Sequence, residues 1–273
     1  MNRLAAALSL ALVASPIALA QLPDYLDVEA VRVKPEKRAD FDGLVRKAVE
    51  MNRKGKGDNW IAMENQFGEG NTVFFVSQRA NYAAIEEGNK AFNSAMVEGL
   101  GMAAWKKMGQ DFDATIISSR TELRHRRWDL SYNAPKDPDS YTKMVGAARW
   151  IRLQQVHVNP GHQTQFEEQV KVLKATIEKN SPSWTVLVAQ LSAGGSGPLY
   201  YFTTLQPSLA GFDSAPDLHK LMGDEGYAAW EKANAEVVAS SETRIMRILP
   251  ELSNPPEAVV NQAASFWRPK STP

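Results

Sequence analysis

The sequence predicts an α+β fold written twice in one chain, and three observations predict it. The phrase GMAAWKKMG at 101–109 returns as GYAAWEKAN at 226–234, so Trp105 and Trp230 stand 125 residues apart. At the same offset VRVKPEKRADF (31–41) meets VHVNPGHQTQF (156–166), which pairs Val31 with Val156, Val33 with Val158, Pro35 with Pro160 and Phe41 with Phe166. Around these, WIAMENQ (60–66) answers to WTVLVAQ (184–190), FFVS (74–77) to YYFT (200–203), and SSRTEL (118–123) to SSETRI (240–245). Shared composition does not produce a shared order of landmarks, so the chain reads as an internal duplication. The expected divisions are a signal peptide over 1–20, a first repeat over 21–127, a linker over 128–148, a second repeat over 149–250 and a proline-rich tail over 251–273.

Each repeat reads strand, helix, strand, strand, helices, strand. The first strand alternates, with Val31 and Val33 (or Val156 and Val158) on one face, the period of two of a sheet with one face buried. Pro35 and Pro160 stop that strand and sit at a helix start, where proline is tolerated. The helix that follows carries Phe41, Leu44, Val45 and Ala48; its counterpart carries Phe166, Val170, Leu173 and Ile177, both at helical spacing. Two strands come next, joined by GEGN in the first repeat and SAGGSG in the second, both hairpin chemistry. An aromatic at helical spacing packs inward, so Trp105 and Trp230 are expected as matched core residues. Pro135, Pro138 and their polar neighbours mark the linker, and the tail is expected to be partly disordered.

Composition narrows the setting. The opening MNRLAAALSLALVASPIALA has a basic start at Arg3, an apolar run and an Ala18-Leu19-Ala20 ending, the pattern of a cleaved secretory signal. The protein is therefore expected outside the cytoplasm, periplasmic or extracellular, with no membrane span after cleavage. It contains no cysteine, which excludes disulfides, thiolate metal ligands and thiol nucleophiles. Lysine plus arginine equals aspartate plus glutamate, 31 against 31, so no net field recruits nucleic acid.

With its strand, Pro-Glu or Pro-Gly turn, Phe-opened helix and Ala-Ala-Trp helix in each half, the chain resembles the dimeric α+β barrel superfamily. That group holds antibiotic-biosynthesis-monooxygenase-like, NIPSNAP-like and stress-responsive barrel proteins. The resemblance implies two ferredoxin-like repeats whose sheets face each other in an intramolecular, pseudo-dimeric α+β barrel. It also implies a spread of roles: cofactor-independent oxygenases, haem enzymes and proteins of unknown role. Fold does not fix which.

The chemistry-bearing residues are few. The four histidines, His125, His157, His162 and His219, include no i, i+4 pair and no zinc motif, so no metal is expected. No cofactor is expected either; haem stands as the alternative, with His219 on an apolar helix segment as its one candidate ligand. The glycine-rich AGGSG and GEG stretches fall on hairpins and are read as turns. The cluster RHRRW (124–128) is read as a solvated strand end. The most informative contrast lies at the matched positions Arg32 and His157. If Val31 and Val33 face the helices, Arg32 and His157 face the space between the sheets, where a cation needs a partner. Glu64, Tyr200 and Tyr201 on neighbouring strands are candidates to join them. Two readings stand: a small-molecule site, or a barrel mouth with an internal ion pair. The functional expectation is binding of a small, partly apolar ligand; the alternatives are a cofactor-independent or haem-dependent monooxygenase-like oxidoreductase and a purely structural module.

Overall fold

Eight strands close on themselves into one barrel, every neighbour antiparallel. The structure is a computed structural model and describes residues 22–181 and 183–269; the segment read as a signal peptide lies outside them. The first half supplies β1 (Tyr25–Val33), α1 (Arg38–Lys54), β2 (Ile61–Phe67), β3 (Thr72–Arg79), α2 (Tyr82–Leu100), α3 (Met102–Thr115) and β4 (Ile116–Arg126). A connecting helix α4 (Pro138–Ala147) follows. The second half supplies β5 (Trp150–Val158), α5 (Gln163–Asn180), β6 (Leu187–Ala193), β7 (Leu199–Gln206), α6 (Leu218–Val237) and β8 (Val238–Ile248). Two short helices follow, α7 (Glu257–Val260) and α8 (Ala264–Trp267), and the strands pair around the barrel in the order β1-β3-β2-β8-β5-β7-β6-β4.

Strand alternation sorts the side chains into three cores. Leu26, Val28, Met63, Phe74, Ile151, Leu153, Leu199, Tyr201 and Met246 point inward and form one cluster that fills the lumen. Val31, Val33, Ala62 and Val73 point outward and pack on Phe41, Val45 and Val49 of α1. Val156, Val158, Val188 and Tyr200 do the same against Phe166, Val170 and Ile177 of α5. The amphipathic stripes expected of both helices therefore bury against the outer faces.

The linker and tail have an unexpected place. Tyr141 and Val145 of α4, Val259 and Val260 of α7, and Trp267 of α8 belong to the lumen cluster. They plug the barrel at the end where β1 and β5 begin. Trp267 is fully buried and its indole N–H donates to the Gly146 carbonyl at 3.0 Å. The tail was expected to be partly disordered; through residue 269 it folds instead, because the barrel end offers it an apolar socket.

Two further expectations need correction. In RHRRW, Arg124 and Arg126 fall on inward positions of β4 and are only 7% and 6% exposed, so the cluster is not a solvated strand end. Trp105 and Trp230 are partly rather than fully buried. The helices carrying them are set off by breaks at Gly101 (φ 77°) and Gly223 (φ 70°), a conformation open to glycine without strain. Each tryptophan lines a cavity between its helix and the sheet.

Candidate functional site

Four antiparallel steps separate β1 from β5, so both strands run the same way and end at the rim opposite the plug. Arg32 and His157 take the last inward positions at that rim. Arg32 is half exposed and pairs with Glu69 at 2.9 Å. The Gln155 amide lies 3.1 Å from His157 Nε2. Tyr201 also points inward, deeper in the lumen, where its hydroxyl donates to Glu122 at 2.7 Å. Burial alone would raise the Glu122 carboxyl, but Arg124, Tyr201 and Arg120 outweigh it and hold it below its ordinary range. Glu64 and Tyr200 do not join this group. They occupy outward positions, Glu64 beneath α1 with Arg38 and Arg247, Tyr200 bonded to Glu167 of α5 at 2.6 Å. Adjacent residues on a strand face opposite ways, so Tyr200 and Tyr201 could not both have faced the lumen.

The larger spaces lie outside the barrel, between each half's sheet and its helices. In the first half a cavity of about 610 Å³ opens between β1, β3 and α1–α3. Its walls are Trp60, Phe75, Phe92, Trp105 and Phe112, and its floor carries Asp27, Glu29, Asp58 and Arg79. The Arg79 guanidinium forks onto Asp58 at 2.6 and 2.7 Å and reaches Asp27 at 3.5 Å. Gly88 of α2 lies against that guanidinium, so a β-carbon there would force Arg79 to move off its carboxylate partners. Glu29, between Phe75 and Thr121, forms no ion pair among the described residues. Burial first, and then the nearby charge of Asp27, push its carboxyl above the ordinary range. The arrangement offers a proton acceptor facing an aromatic space.

The second half has a smaller cavity of about 340 Å³, roofed by Trp230 and walled by Phe166, Val170, Trp184 and Phe202. By register, Arg152 and Gln154 occupy the places that Asp27 and Glu29 hold in the first half: Gln154 lies between Phe202 and Thr243 as Glu29 lies between Phe75 and Thr121. The Tyr132 hydroxyl and the Gln169 amide oxygen are buried at this cavity without a hydrogen-bond partner.

Neither cavity suits a haem held by histidine. No histidine lines either one. His219 is largely exposed, pairs with Asp224 at 3.0 Å and packs on Tyr227. Among the described residues, no group of three or more His, Asp or Glu side chains is arranged for a metal ion, and no helix is long and apolar enough to cross a membrane.

The chain is thus a mixed α+β fold built on a closed eight-stranded antiparallel barrel with helices outside. Solved structures share it: a candidate monooxygenase from Fusobacterium nucleatum superposes with TM-score 0.51 at 10% identity, over 84% of this chain and 93% of that one. An anthrone oxidase-like protein gives 0.50 at 12%, over 84% and 93%. A haem-binding protein from Thermus thermophilus gives 0.45 at 12%, over 85% and 94%. At such identities the likeness is one of fold. No family model matches the chain, and no curated protein matches it by sequence.

The acidic floor escaped the sequence reading although its signal was present. Asp27 and Glu29 share the outward face with Val31 and Val33, and charge on an otherwise apolar strand face marks a site.

Proposed function

We propose that the first-half cavity binds a small, aromatic, weakly acidic ligand, and that Glu29 accepts its proton. The unpaired Glu29 carboxyl on the floor of an aromatic cavity carries this reading. A raised carboxylate is a stronger base than an ordinary one, and a general base of this kind contributes about 10²–10⁴-fold to rate. The reaction class that fits is cofactor-independent oxygenation, in line with the monooxygenase and anthrone oxidase-like descriptions of proteins with this fold. The carbon acid gives a proton to Glu29, and the resulting anion meets dioxygen. One oxygen atom enters the product as a carbonyl, and the other leaves as water with the two hydrogens lost from carbon.

Oxygen uptake with anthrone as probe tests it. Wild-type protein should consume oxygen and Glu29→Gln should lose at least about 100-fold of the rate. If no uptake occurs with anthrone or hydroxynaphthalenes, while both quench Trp105 fluorescence, the cavity is a binding site and the enzymatic reading fails.

The matched strand registers also support descent of the two halves from one duplicated ferredoxin-like unit, within the same broad group as the monooxygenase-like and NIPSNAP-like barrels. Export rests on the sequence of residues 1–20. N-terminal sequencing of the secreted or periplasmic fraction should begin at Gln21; an intact Met1 in a membrane fraction would reverse that expectation.

A further inference from the structure

The barrel lumen holds a cation that forms no ion pair among the described residues. Arg126 is 6% exposed, and its Nε and Nη1 have no hydrogen-bond partner. Its neighbour on the same face, Arg124, is settled: it forks onto Glu122 at 2.9 and 2.7 Å and stacks on Tyr201, 3.7 Å from the ring centre. Arg126 has only the Trp128 ring, 5.9 Å away, and the indole N–H of that tryptophan is itself buried without a partner. Unmatched groups here are thus all donors. Both arginines line a small space of about 70 Å³, together with Gln78, Tyr141 and Thr203.

A buried guanidinium without a counter-charge is costly, and native proteins pair such groups. Water could take the N–H bonds but not the charge. The space exceeds the roughly 30 Å³ that one water occupies in the liquid, so it admits an ion of one to four heavy atoms. Among the described residues, Asp24 lies across the ladder from Arg126, its carbonyl accepting the Arg126 backbone N–H at 2.7 Å, but its carboxylate forms no ion pair with the guanidinium, and Glu122 is already shared among Arg120, Arg124 and Tyr201.

We propose that the lumen between Arg126 and the plug is a binding site for a small monovalent anion of the size of chloride, formate or bicarbonate. It lies inside the barrel, apart from both outer cavities. The anion completes the core where the C-terminal plug closes over it, so its occupancy supports closure of the barrel.

Melting at constant ionic strength tests the proposal, with sodium gluconate replaced stepwise by sodium chloride or sodium formate. The wild-type Tm should rise saturably by about 3 °C or more, and Arg126→Met should melt at one temperature in every salt. Equal salt responses in both proteins, or none in the wild type, would overturn the site. If Arg126→Met does not fold, crystals of the wild type grown in sodium bromide decide: an anomalous peak beside the Arg126 guanidinium supports the proposal, and water alone in the lumen removes it.

Discussion

The first cavity sets Asp27 and Glu29 where the second sets Arg152 and Gln154, on strands whose registers match residue for residue. Both cavities have an aromatic roof, Trp105 in one and Trp230 in the other. The backbone plan is therefore shared and the floor chemistry is not. A glutamine can neither take nor hold a proton at ordinary pH, so the carboxylate base of the first cavity has no counterpart at the matched place in the second. Arg152 gives the second cavity a positive floor that suits a carboxylate or carbonyl oxygen. The first space is also nearly twice as large, about 610 against 340 Å³.

The largest expected effect breaks the comparison if it fails. Glu29→Gln should cost at least about 100-fold in anthrone-dependent oxygen uptake, roughly 2.7 kcal/mol of transition-state stabilisation. The matched change Gln154→Leu should leave the rate within about twofold of wild type. A loss shared equally by both variants would mean that the halves act together or that Glu29 has no special role.

The next effect concerns stability. Deleting a fully buried tryptophan costs about 3–5 kcal/mol, but Trp105 and Trp230 are only partly buried beside open space. Trp105→Ala and Trp230→Ala should each cost about 1–2 kcal/mol in denaturant melts. Equal losses would support the shared plan. A much larger loss for Trp105, which packs edge-on to Phe92 at 5.8 Å, would show that the first roof is structural and the second dispensable.

These residues also show what the sequence could and could not disclose. Strand alternation placed Val31 and Val33 against the helices and Arg32 and His157 on the other face, since both follow from a period of two. The duplicated phrase located the tryptophans but not their burial, because helical spacing says which side a residue faces and not how closely the sheet approaches it. The plug was hidden for a related reason. Proline-rich composition suggested a loose tail, whereas Trp267 is fixed in the lumen cluster and bonded to Gly146, 121 residues away. Arg124 and Arg126 looked solvated because a run of basic residues such as Arg124-His125-Arg126-Arg127 usually is; only closure of the barrel takes Arg124 and Arg126 inside.

A third effect follows from the Glu29 carboxyl, raised by burial and by Asp27. Its folded pKa lies above its unfolded one, so the native state binds more protons in the window between them. Stability contributed by Glu29 is thus lost as pH rises through the folded value, and the full cost persists above it. Glu29→Gln should raise Tm by on the order of 2 °C at pH 8 and leave it unchanged at pH 4. Oxygen uptake by the wild type should run the other way and increase with pH through the same window, since the base must be ionised. Gln154→Leu should show neither trend. A pH-independent difference between Glu29→Gln and wild type would remove Glu29 as the titrating group.

The smallest effect sharpens the second cavity. The Tyr132 hydroxyl is buried there with no partner, and burial raises its pKa, so it stays protonated as a donor without an acceptor. Leaving such a group unpaired costs about 1–3 kcal/mol, whereas removing it leaves a ring of the same shape. In protein without ligand, Tyr132→Phe should therefore be neutral or stabilising by up to about 1 kcal/mol in denaturant melts. The same substitution should weaken binding of a small aromatic carboxylate such as benzoate about tenfold if Arg152 and Tyr132 hold it together, and should not alter quenching of Trp105 by hydroxynaphthalenes in the first cavity. A destabilisation above about 1 kcal/mol in the absence of ligand would mean that the hydroxyl is already bonded, to water or to a resident molecule, and the second cavity would then be an occupied site rather than an open one.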